Sequence, residues 1–198
     1  AVASLLGVVV EDDAPLCIVT ELVPGGSLLA LVEAVAAEAD GASSSSSSSD
    51  GEGHHKKSSS RGSLPPVAVL RMAKDIASGM QHLHAESVLH CDLACRNFLV
   101  AEKRRTKGHR YTVKICDFGL SHTAHEDEYD ASSSDFKFPI RWSAPEVIQS
   151  GRFSTASDVW SFAVSVWEMM SRGRKPYYEL GTNQDVITKV CDEGARLR

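Results

Sequence analysis

The sequence has 198 residues, of which 42% are hydrophobic and 24% are charged, a composition typical of one globular domain with a buried core. The formal net charge of −5 argues against a nucleic-acid-binding protein, because binding to phosphates needs a basic surface. No apolar run reaches the length of a membrane span and no secretory leader is visible, so we predict no membrane span in this piece.

Five cysteines are scattered along the chain, an odd number that lacks the density of a disulfide framework. We therefore expect free thiols and a cytoplasmic location, or the cytoplasmic side of the plasma membrane if sequence outside this piece holds a span. The chain starts with Ala1 rather than methionine, so we expect further sequence upstream.

The first part of the chain predicts a hairpin and then a helix. Residues 5–10 and 16–20 are short runs rich in leucine and β-branched residues, and a polar turn separates them. Pro-Gly-Gly at 24–26 ends this pattern, and Ser27 is a suitable N-cap for a helix over 28–39.

The composition changes abruptly between residues 40 and 63, where seven consecutive serines lead into a stretch rich in Gly, His, Lys and Ser. This stretch offers no large apolar side chain whose burial could offset the entropy of ordering it. We predict a disordered insert.

Two long helices are predicted in the rest of the chain. The first begins at Pro65-Pro66 and continues to His84, because apolar residues recur at steps of three and four. These residues are Val67, Leu70, Ala73, Ile76, Met80 and Leu83. The second spans 157–171 and is apolar on all sides, which predicts the buried centre of its lobe. Between the two helices lie short apolar runs at 88–89, 98–100 and 113–115.

Two polar segments carry the chemistry. Residues 90–97 read HCDLACRN, and residues 117–119 read DFG directly after the apolar run 113–115. Phosphoryl transfer needs a carboxylate that orients the attacking hydroxyl and oxygen ligands that hold magnesium on the phosphates. An aspartate and an asparagine five residues apart on one loop, with a second aspartate on a neighbouring turn, can supply these groups.

The order and spacing of these segments resemble a protein kinase domain read from its fourth strand onward. Ala-Pro-Glu at 144–146 is similar to the end of a kinase activation segment, and Asp158 matches the aspartate that braces the catalytic loop. The resemblance implies an α+β, truncated kinase fold. It would comprise a remnant small-lobe β-hairpin and hinge over 1–26 and a mostly helical large lobe over 27–198, with the insert at about 40–63.

The resemblance also implies roles for the motif residues. Asp92 would be the catalytic aspartate, with Arg96 beside it, and Asn97 and Asp117 would bind Mg²⁺.

The stretch from Thr20 to Leu28 resembles the hinge of a kinase. Thr20 would be the gatekeeper, the backbones of Glu21 and Val23 would meet the adenine of ATP, and Leu99 would lie under the ring. ATP and a protein substrate with a tyrosine acceptor are the implied partners.

Tyrosine specificity is indicated by the residues around the catalytic aspartate. Serine/threonine kinases usually place a lysine two residues after that aspartate, but here Ala94 stands there and the cation is Arg96. Residues 138–143 resemble the substrate loop of tyrosine kinases. The stretch around Tyr129 is similar to the autophosphorylation site of Tec- and Src-like non-receptor kinases.

Three departures from the family pattern leave alternatives open. The glycine-rich loop, the strand-three lysine and the C-helix glutamate of a kinase would lie before Ala1, and the last helices of the large lobe would lie after Arg198. The third departure is in the catalytic loop. Cys91 replaces the arginine that normally precedes the catalytic aspartate, and His122 stands where a second basic residue is common. Arg141 is the nearby cation that could partly compensate. The leading hypothesis is an active tyrosine kinase. The alternatives are a pseudokinase that binds nucleotide or protein partners without catalysis, and a serine/threonine or dual-specificity kinase.

Overall fold

The computed structural model describes residues 1–10, 15–43, 62–105, 108–124, 128–131 and 137–198. The expected α+β class is confirmed, because the helices outweigh the strands and the described strands form four two-stranded antiparallel sheets. The helices and strands are β1 (Leu5–Val9), β2 (Cys17–Thr20), α1 (Leu28–Ser43), α2 (Pro66–Ala85), β3 (Val88–Leu89), β4 (Phe98–Arg105), β5 (Gly108–Ile115), β6 (His122–Thr123), β7 (Glu128–Asp130), α3 (Pro145–Ser150), β8 (Arg152–Ser154), α4 (Thr155–Met170) and α5 (Asn183–Ile187).

The predicted N-terminal hairpin is present. Strands β1 and β2 pair antiparallel, with Leu5 opposite Thr20 and Val9 opposite Cys17. Most of their apolar side chains are exposed. Before the hairpin, Val2 forms a parallel bridge to Ile115, so the start of the chain lies along strand β5.

The largest hydrophobic core forms where α2 packs on β5, with α1, β4 and α4 around it. The helix predicted from Pro65-Pro66 to His84 is present, but the expected apolar face is wrong over its first turns. Val67 and Leu70 are more than half exposed, whereas Val69 and Met72 are buried. The buried stripe starts at Val69 and Met72 and joins the expected face at Ile76, and Met80 and Leu83 are then buried as predicted.

Helix α1 continues through Ser43, four residues beyond the predicted end and into the first residues of the predicted insert. The side chain of Arg172, which is distant in sequence, contacts the second half of this helix. Arg172 donates hydrogen bonds to the carbonyl oxygen of Ala36 at 2.9 Å and to Asp40 Oδ1 at 2.7 Å. Residues 44–61 of the predicted insert lie outside the described residues, so its disorder stays a prediction.

Helix α4 starts at a capping box in which Ser154 and Ser157 exchange hydrogen bonds between side chains and backbone. The expectation that its apolar residues form a buried centre is wrong. Its buried stripe is mainly polar, while Val159 and Met170 are at least 60% exposed. Buried polar groups need hydrogen-bond partners. The polar stripe of α4 finds them in the loops that it supports, so α4 is a platform for those loops.

Three antiparallel strand pairs flank the loops that α4 supports. The β4–β5 hairpin carries residues 98 and 115 opposite each other at its base, and β3 pairs with β6. Strand β7 pairs with β8, placing Tyr129 opposite Phe153. A helix of the length and apolarity needed to cross a membrane is absent from the part of the chain that the structure describes.

Candidate active site

The loop after β3 is held from below by the carboxylate of Asp158, which is 2% exposed. Asp158 Oδ2 accepts the backbone N–H of His90 at 2.9 Å, and Oδ1 accepts that of Cys91 at 3.0 Å. The His84 ring lies 2.9 Å from Asp158 Oδ2. Cys91 has a left-handed backbone with φ 64°, which is uncommon for a residue with a side chain. Two charge-assisted bonds from the carboxylate thus stabilise a strained turn just before Asp92.

The side chains of Asp92, Arg96 and Asn97 meet at this loop, as the sequence predicts. The Arg96 guanidinium donates to Asp92 Oδ1. The Asn97 side-chain amide donates to Asp92 Oδ2 and to the Asp92 backbone carbonyl, both at 2.7 Å. The loop after Ala94 forms a 3₁₀ turn over Cys95–Asn97, and this turn brings Arg96 and Asn97 back to Asp92. The carboxylate is therefore fixed in position from two sides.

Arg96 also contacts the segment that precedes α3. Its guanidinium carbon lies 4.8 Å from the centroid of the Trp142 ring, a cation–π distance. The Trp142 indole N–H donates to Glu168 Oε2 at 2.8 Å, and the backbone N–H of Cys95 donates to the same oxygen at 3.0 Å. Two loops distant in sequence thus share one buried carboxylate of α4.

Asp117 follows strand β5 and lies beside the same loop. The backbone N–H of Cys116 donates to the Asn97 carbonyl at 3.0 Å, which places Asp117 one residue from a direct link to Asn97. Asp117 is exposed and left-handed, with φ 63°, and its Oδ1 accepts the Gly119 N–H at 3.3 Å.

The donor set fits magnesium, which prefers oxygen ligands and is usually bound by one or two carboxylates together with substrate phosphates. Because the Asn97 amide nitrogen faces Asp92, its Oδ1 points away from that carboxylate and could act as a ligand. Among the residues that the structure describes, no group of three or more His, Cys, Asp or Glu side chains is arranged to hold a metal ion. A magnesium site built from Asp117 and Asn97 would be completed by phosphate oxygens of the nucleotide and by water.

The predicted hinge packs on strand β4 through two glycines. The Gly25 N–H donates to the Val100 carbonyl, and the Val100 N–H donates to the Gly26 carbonyl, both at 2.9 Å. A Cβ at position 25 would lie 2.1 Å from the Val100 carbonyl oxygen, and Gly26 has φ 69°. Only glycine fits both conditions, so Pro-Gly-Gly sets how closely the hinge approaches β4.

Leu99 lies on the face of β4 opposite to its buried neighbours Phe98 and Val100, and it bridges to Ser27 after the hinge. The backbone N–H of Glu21 donates to the Ser4 carbonyl at 3.0 Å, so the start of the predicted hinge is bonded to the segment before β1. Thr20 ends strand β2 and is exposed, while Val23 is buried. The predicted hinge-site residues thus fall into two places, Thr20, Glu21 and Val23 at and after the end of β2 and Leu99 in β4.

A side-chain ion pair that the sequence did not predict links the hinge to strand β5. Lys114 Nζ lies 2.6 Å from both carboxylate oxygens of Glu21, and the Ser4 N–H donates to Glu21 Oε1 at 2.7 Å. The Lys114 hydrogen bond, and then that from Ser4, lower the pKa of Glu21 to about 2. Lys114 lies opposite Leu99 in the β4–β5 pairing, so the ion pair ties the hinge to the hairpin beneath it.

Tyr129 lies in an aromatic cluster. Its ring stacks on that of His122, with centroids 3.7 Å apart and an angle of 10° between the planes, and Phe153 lies at 6.4 Å. Cys91 is buried in the hydrophobic cluster beside Tyr129, and burial raises the pKa of its thiol well above the usual value. A neutral thiol thus occupies the position where the family resemblance leads one to expect a cation.

Arg141 was a candidate to compensate for the missing cation by binding a phosphate on Tyr129, and this expectation is wrong. Arg141 is 3% exposed. Its guanidinium donates to the carbonyls of Pro176, Tyr177 and Leu180 and to the Asn183 side chain, at 2.7–3.3 Å. The arginine is thus committed to holding the loop before α5.

Glu168 was also missed by the sequence analysis. The available signal was one carboxylate in an otherwise apolar helix turn, ten residues after Asp158 on the same helix. The Glu21–Lys114 contact had no local signal, because 93 residues separate the partners.

Comparison with known proteins agrees with this geometry. The family model described as protein tyrosine and serine/threonine kinase matches residues 1–198. The chain is 43% identical over 137 residues to ephrin type-A receptor 3 of Danio rerio, covering 69% of the chain and 13% of the receptor. It is 42% identical over 141 residues to tyrosine-protein kinase Abl of Drosophila melanogaster, covering 71% of the chain and 8% of that kinase.

Tyrosine-protein kinase abl-1 of Caenorhabditis elegans is 38% identical over 193 residues, which is 98% of the chain and 13% of the relative. The chain belongs to the protein tyrosine and serine/threonine kinase family. It spans 8–13% of the length of these relatives.

Proposed function

We propose that this chain is the part of a protein tyrosine kinase that carries the catalytic loop and the magnesium ligands. The observation that carries the proposal is the arrangement around Asp92. Its carboxylate is held by Arg96 and Asn97 on a loop that Asp158 braces from below. The relatives from Drosophila melanogaster and Caenorhabditis elegans are named tyrosine-protein kinases, which supports the same reaction class.

Asp92 would orient the hydroxyl of the substrate tyrosine and accept its proton as the phosphate is transferred. Its two oxygens accept hydrogen bonds from Arg96 and Asn97, and each retains a lone pair for the substrate hydroxyl. The guanidinium keeps a positive charge beside the reacting groups, which stabilises the charge that develops in the transition state.

Asp117 and Asn97 would hold Mg²⁺ on the phosphates of ATP. When bound, the ion would neutralise phosphate charge and the nucleotide would supply the γ-phosphoryl group. The carbonyl of Glu21 and the backbone of Val23 would bind adenine, with Leu99 beneath the ring and Thr20 at the back of the site. Thr20 ends β2, Glu21 and Val23 follow it, and Leu99 lies in β4, where it bridges to Ser27 after the hinge.

Tyrosine is the proposed acceptor because Ala94, which is fully buried, leaves no cation two residues after Asp92. The cation is supplied by Arg96 instead, and it lies against Trp142 of the predicted substrate loop. We also propose that the protein acts on the cytoplasmic side of a cell, where ATP is available and where its five free cysteines would stay reduced.

The experiment that tests this proposal uses the full-length protein, labelled ATP and Mg²⁺. A poly-Glu-Tyr copolymer and a peptide containing only Ser and Thr acceptors are offered separately. The proposal predicts Mg²⁺-dependent labelling of the copolymer and phosphotyrosine in hydrolysed product. Labelling of the Ser/Thr peptide alone would favour a serine/threonine kinase. Nucleotide binding without transfer to either acceptor would favour a pseudokinase.

A further inference from the structure

Glu168 is a buried charge that the proposed chemistry does not use directly. It lies in the last turn of α4 and is 2% exposed. Burial raises the pKa of Glu168, and the hydrogen bonds from Trp142 and Cys95, together with the charge of Arg96, oppose that rise. A buried carboxylate is costly unless it is well hydrogen-bonded, so its partners indicate what it does.

Those partners belong to two different parts of the proposed site. The Cys95 N–H lies in the catalytic loop, one residue before Arg96, and the Trp142 indole lies in the predicted substrate loop. Both donate to the same oxygen, Glu168 Oε2, at 3.0 and 2.8 Å. If either loop moved away from α4, the Glu168 carboxylate would lose one of these two hydrogen bonds. Its buried charge would then be poorly satisfied, although the other loop would still be bonded to it.

The contact continues from Trp142 to the reacting group. Arg96 lies over the Trp142 ring at 4.8 Å and donates to the Asp92 carboxylate. An indole whose N–H is fixed by a carboxylate presents its face at a fixed angle, which restricts where the guanidinium can lie. A continuous chain of contacts thus runs from Glu168 through Trp142 and Arg96 to Asp92.

We propose that Glu168 is a positioning residue that couples the substrate loop to the catalytic aspartate through this chain, which we call the α4 relay. The proposal rests on the proposed function, because it assigns a role in the same transfer reaction. When the substrate loop is seated, Trp142 holds Arg96 on Asp92, and the carboxylate is then oriented for the tyrosine hydroxyl. Glu168 does not touch substrate and acts only through these neighbours.

The test uses three variants of the full-length protein. Glu168→Gln keeps the shape and an acceptor oxygen but removes the charge from both hydrogen bonds. Trp142→Phe keeps an aromatic ring beneath Arg96 but removes the indole donor. Met169→Leu changes the adjacent residue, which is fully buried in the main core and outside the relay, and controls for general loosening of α4.

The α4 relay predicts that Glu168→Gln lowers kcat for the poly-Glu-Tyr copolymer about tenfold, the order expected from losing charge assistance. The KM for ATP should stay within about twofold, since the hinge residues lie outside the relay. Trp142→Phe should lower kcat similarly, and the double variant should fall little further, because both changes break the same chain. Met169→Leu should leave kcat within about twofold of the unaltered protein, because an isosteric core change leaves the relay intact.

Amide hydrogen exchange over residues 92–97 tests the relay without any activity measurement. Glu168→Gln should speed exchange in this loop beyond the change that Met169→Leu causes. Equal exchange in these two variants, or additive losses of kcat in the double variant, would overturn the relay. If the unaltered protein transfers no phosphate to tyrosine, the proposed function fails, and the exchange result alone then decides whether Glu168 positions the loop.

Discussion

Asp158 fixes Cys91 in a conformation that the chain would otherwise avoid: the Cys91 N–H donates to Asp158 Oδ1 at 3.0 Å while Cys91 keeps φ 64°. A non-glycine residue in this region costs of order 1 kcal/mol or more, so the carboxylate stabilises a strained turn. The turn directs the next residue, Asp92, towards Arg96 and Asn97. The position of the proposed base thus depends on a side chain 66 residues later in the sequence.

Replacing that carboxylate should damage both stability and activity. Asp158→Ala leaves the buried N–H groups of His90 and Cys91 without their acceptor, at a cost of about 1–3 kcal/mol each. Displacement of Asp92 should lower turnover by about 100-fold or more. Thermal unfolding and steady-state kinetics of the full-length protein measure the two effects. Ser165→Ala is the matched control on the same buried face, since the Ser165 hydroxyl donates to the Ser161 carbonyl within α4. Equal effects of the two substitutions would contradict the bracing role.

Phosphorylation of Tyr129 should switch activity only weakly. A phosphotyrosine orders a loop through charge-assisted bonds to cations. Related kinases place such cations at two positions, which here hold the buried thiol of Cys91 and the ring of His122. The Arg141 guanidinium is bonded to backbone carbonyls elsewhere.

We therefore expect Tyr129→Phe to lower turnover by less than about tenfold after autophosphorylation. Tyr178→Phe, at an exposed tyrosine outside this cluster, is the control. A fall of about a hundredfold, the order expected from about 3 kcal/mol, would show that the phosphate finds a strong partner after all.

The ion pair between Glu21 and Lys114 predicts a pH-dependent contribution to stability. The pKa of Glu21 falls from its ordinary 4.5 to about 2 in the folded chain, because the charged form is bonded to Lys114 and Ser4. The stabilisation is therefore complete above about pH 4.5 and is lost as the pH falls towards 2.

The measurement is the difference in free energy of unfolding between the unaltered protein and the Glu21→Gln variant as a function of pH. That difference should shrink as the pH falls from about 4.5 to about 2. Lys114→Met removes the main cause of the lowered pKa, so in its background the loss should move to higher pH. A difference between the unaltered protein and the Glu21→Gln variant that stays constant across this range would contradict the prediction.

The close approach of the hinge to β4 predicts that Gly25 cannot carry a side chain. In Gly25→Ala the new methyl would meet the Val100 carbonyl oxygen at 2.1 Å, so the backbone must shift and both hinge hydrogen bonds weaken. We expect a loss of about 1–3 kcal/mol in stability and a raised KM for ATP. Gly7→Ala in β1, where the methyl meets nothing within 4 Å, is the control. An unchanged KM for ATP in Gly25→Ala would contradict the prediction, because it would show that this turn does not affect nucleotide binding.

Local sequence patterns predicted the parts of this structure that depend on local interactions. The hairpin of β1 and β2, the extent of α2 and the meeting of Asp92 with Asn97 follow from β-branched runs around a polar turn, helical periodicity and a five-residue spacing. The buried face was wrong only in the first turns of α2, because both Val67 and Val69 fit an apolar stripe and only packing decides between them.

The supports of the site could not be predicted in the same way. Glu168 and Trp142 are 26 residues apart, and their bond depends on how α4 lies beneath the substrate loop. The sequence pattern of α4 also did not show that its polar side chains would be the buried ones. A helix pattern does not indicate which face meets backbone N–H groups that need hydrogen-bond acceptors.

The most direct test of the account is the turnover of Asp92→Asn in the full-length protein with Mg²⁺, ATP and the poly-Glu-Tyr copolymer. Asparagine keeps the size of the side chain but cannot accept the tyrosine proton. We predict that kcat falls by about 10²–10⁴-fold while ATP still binds, and that Asp192→Asn, at an exposed site, keeps full turnover. Near-normal turnover of Asp92→Asn would show that Asp92 is not the catalytic base.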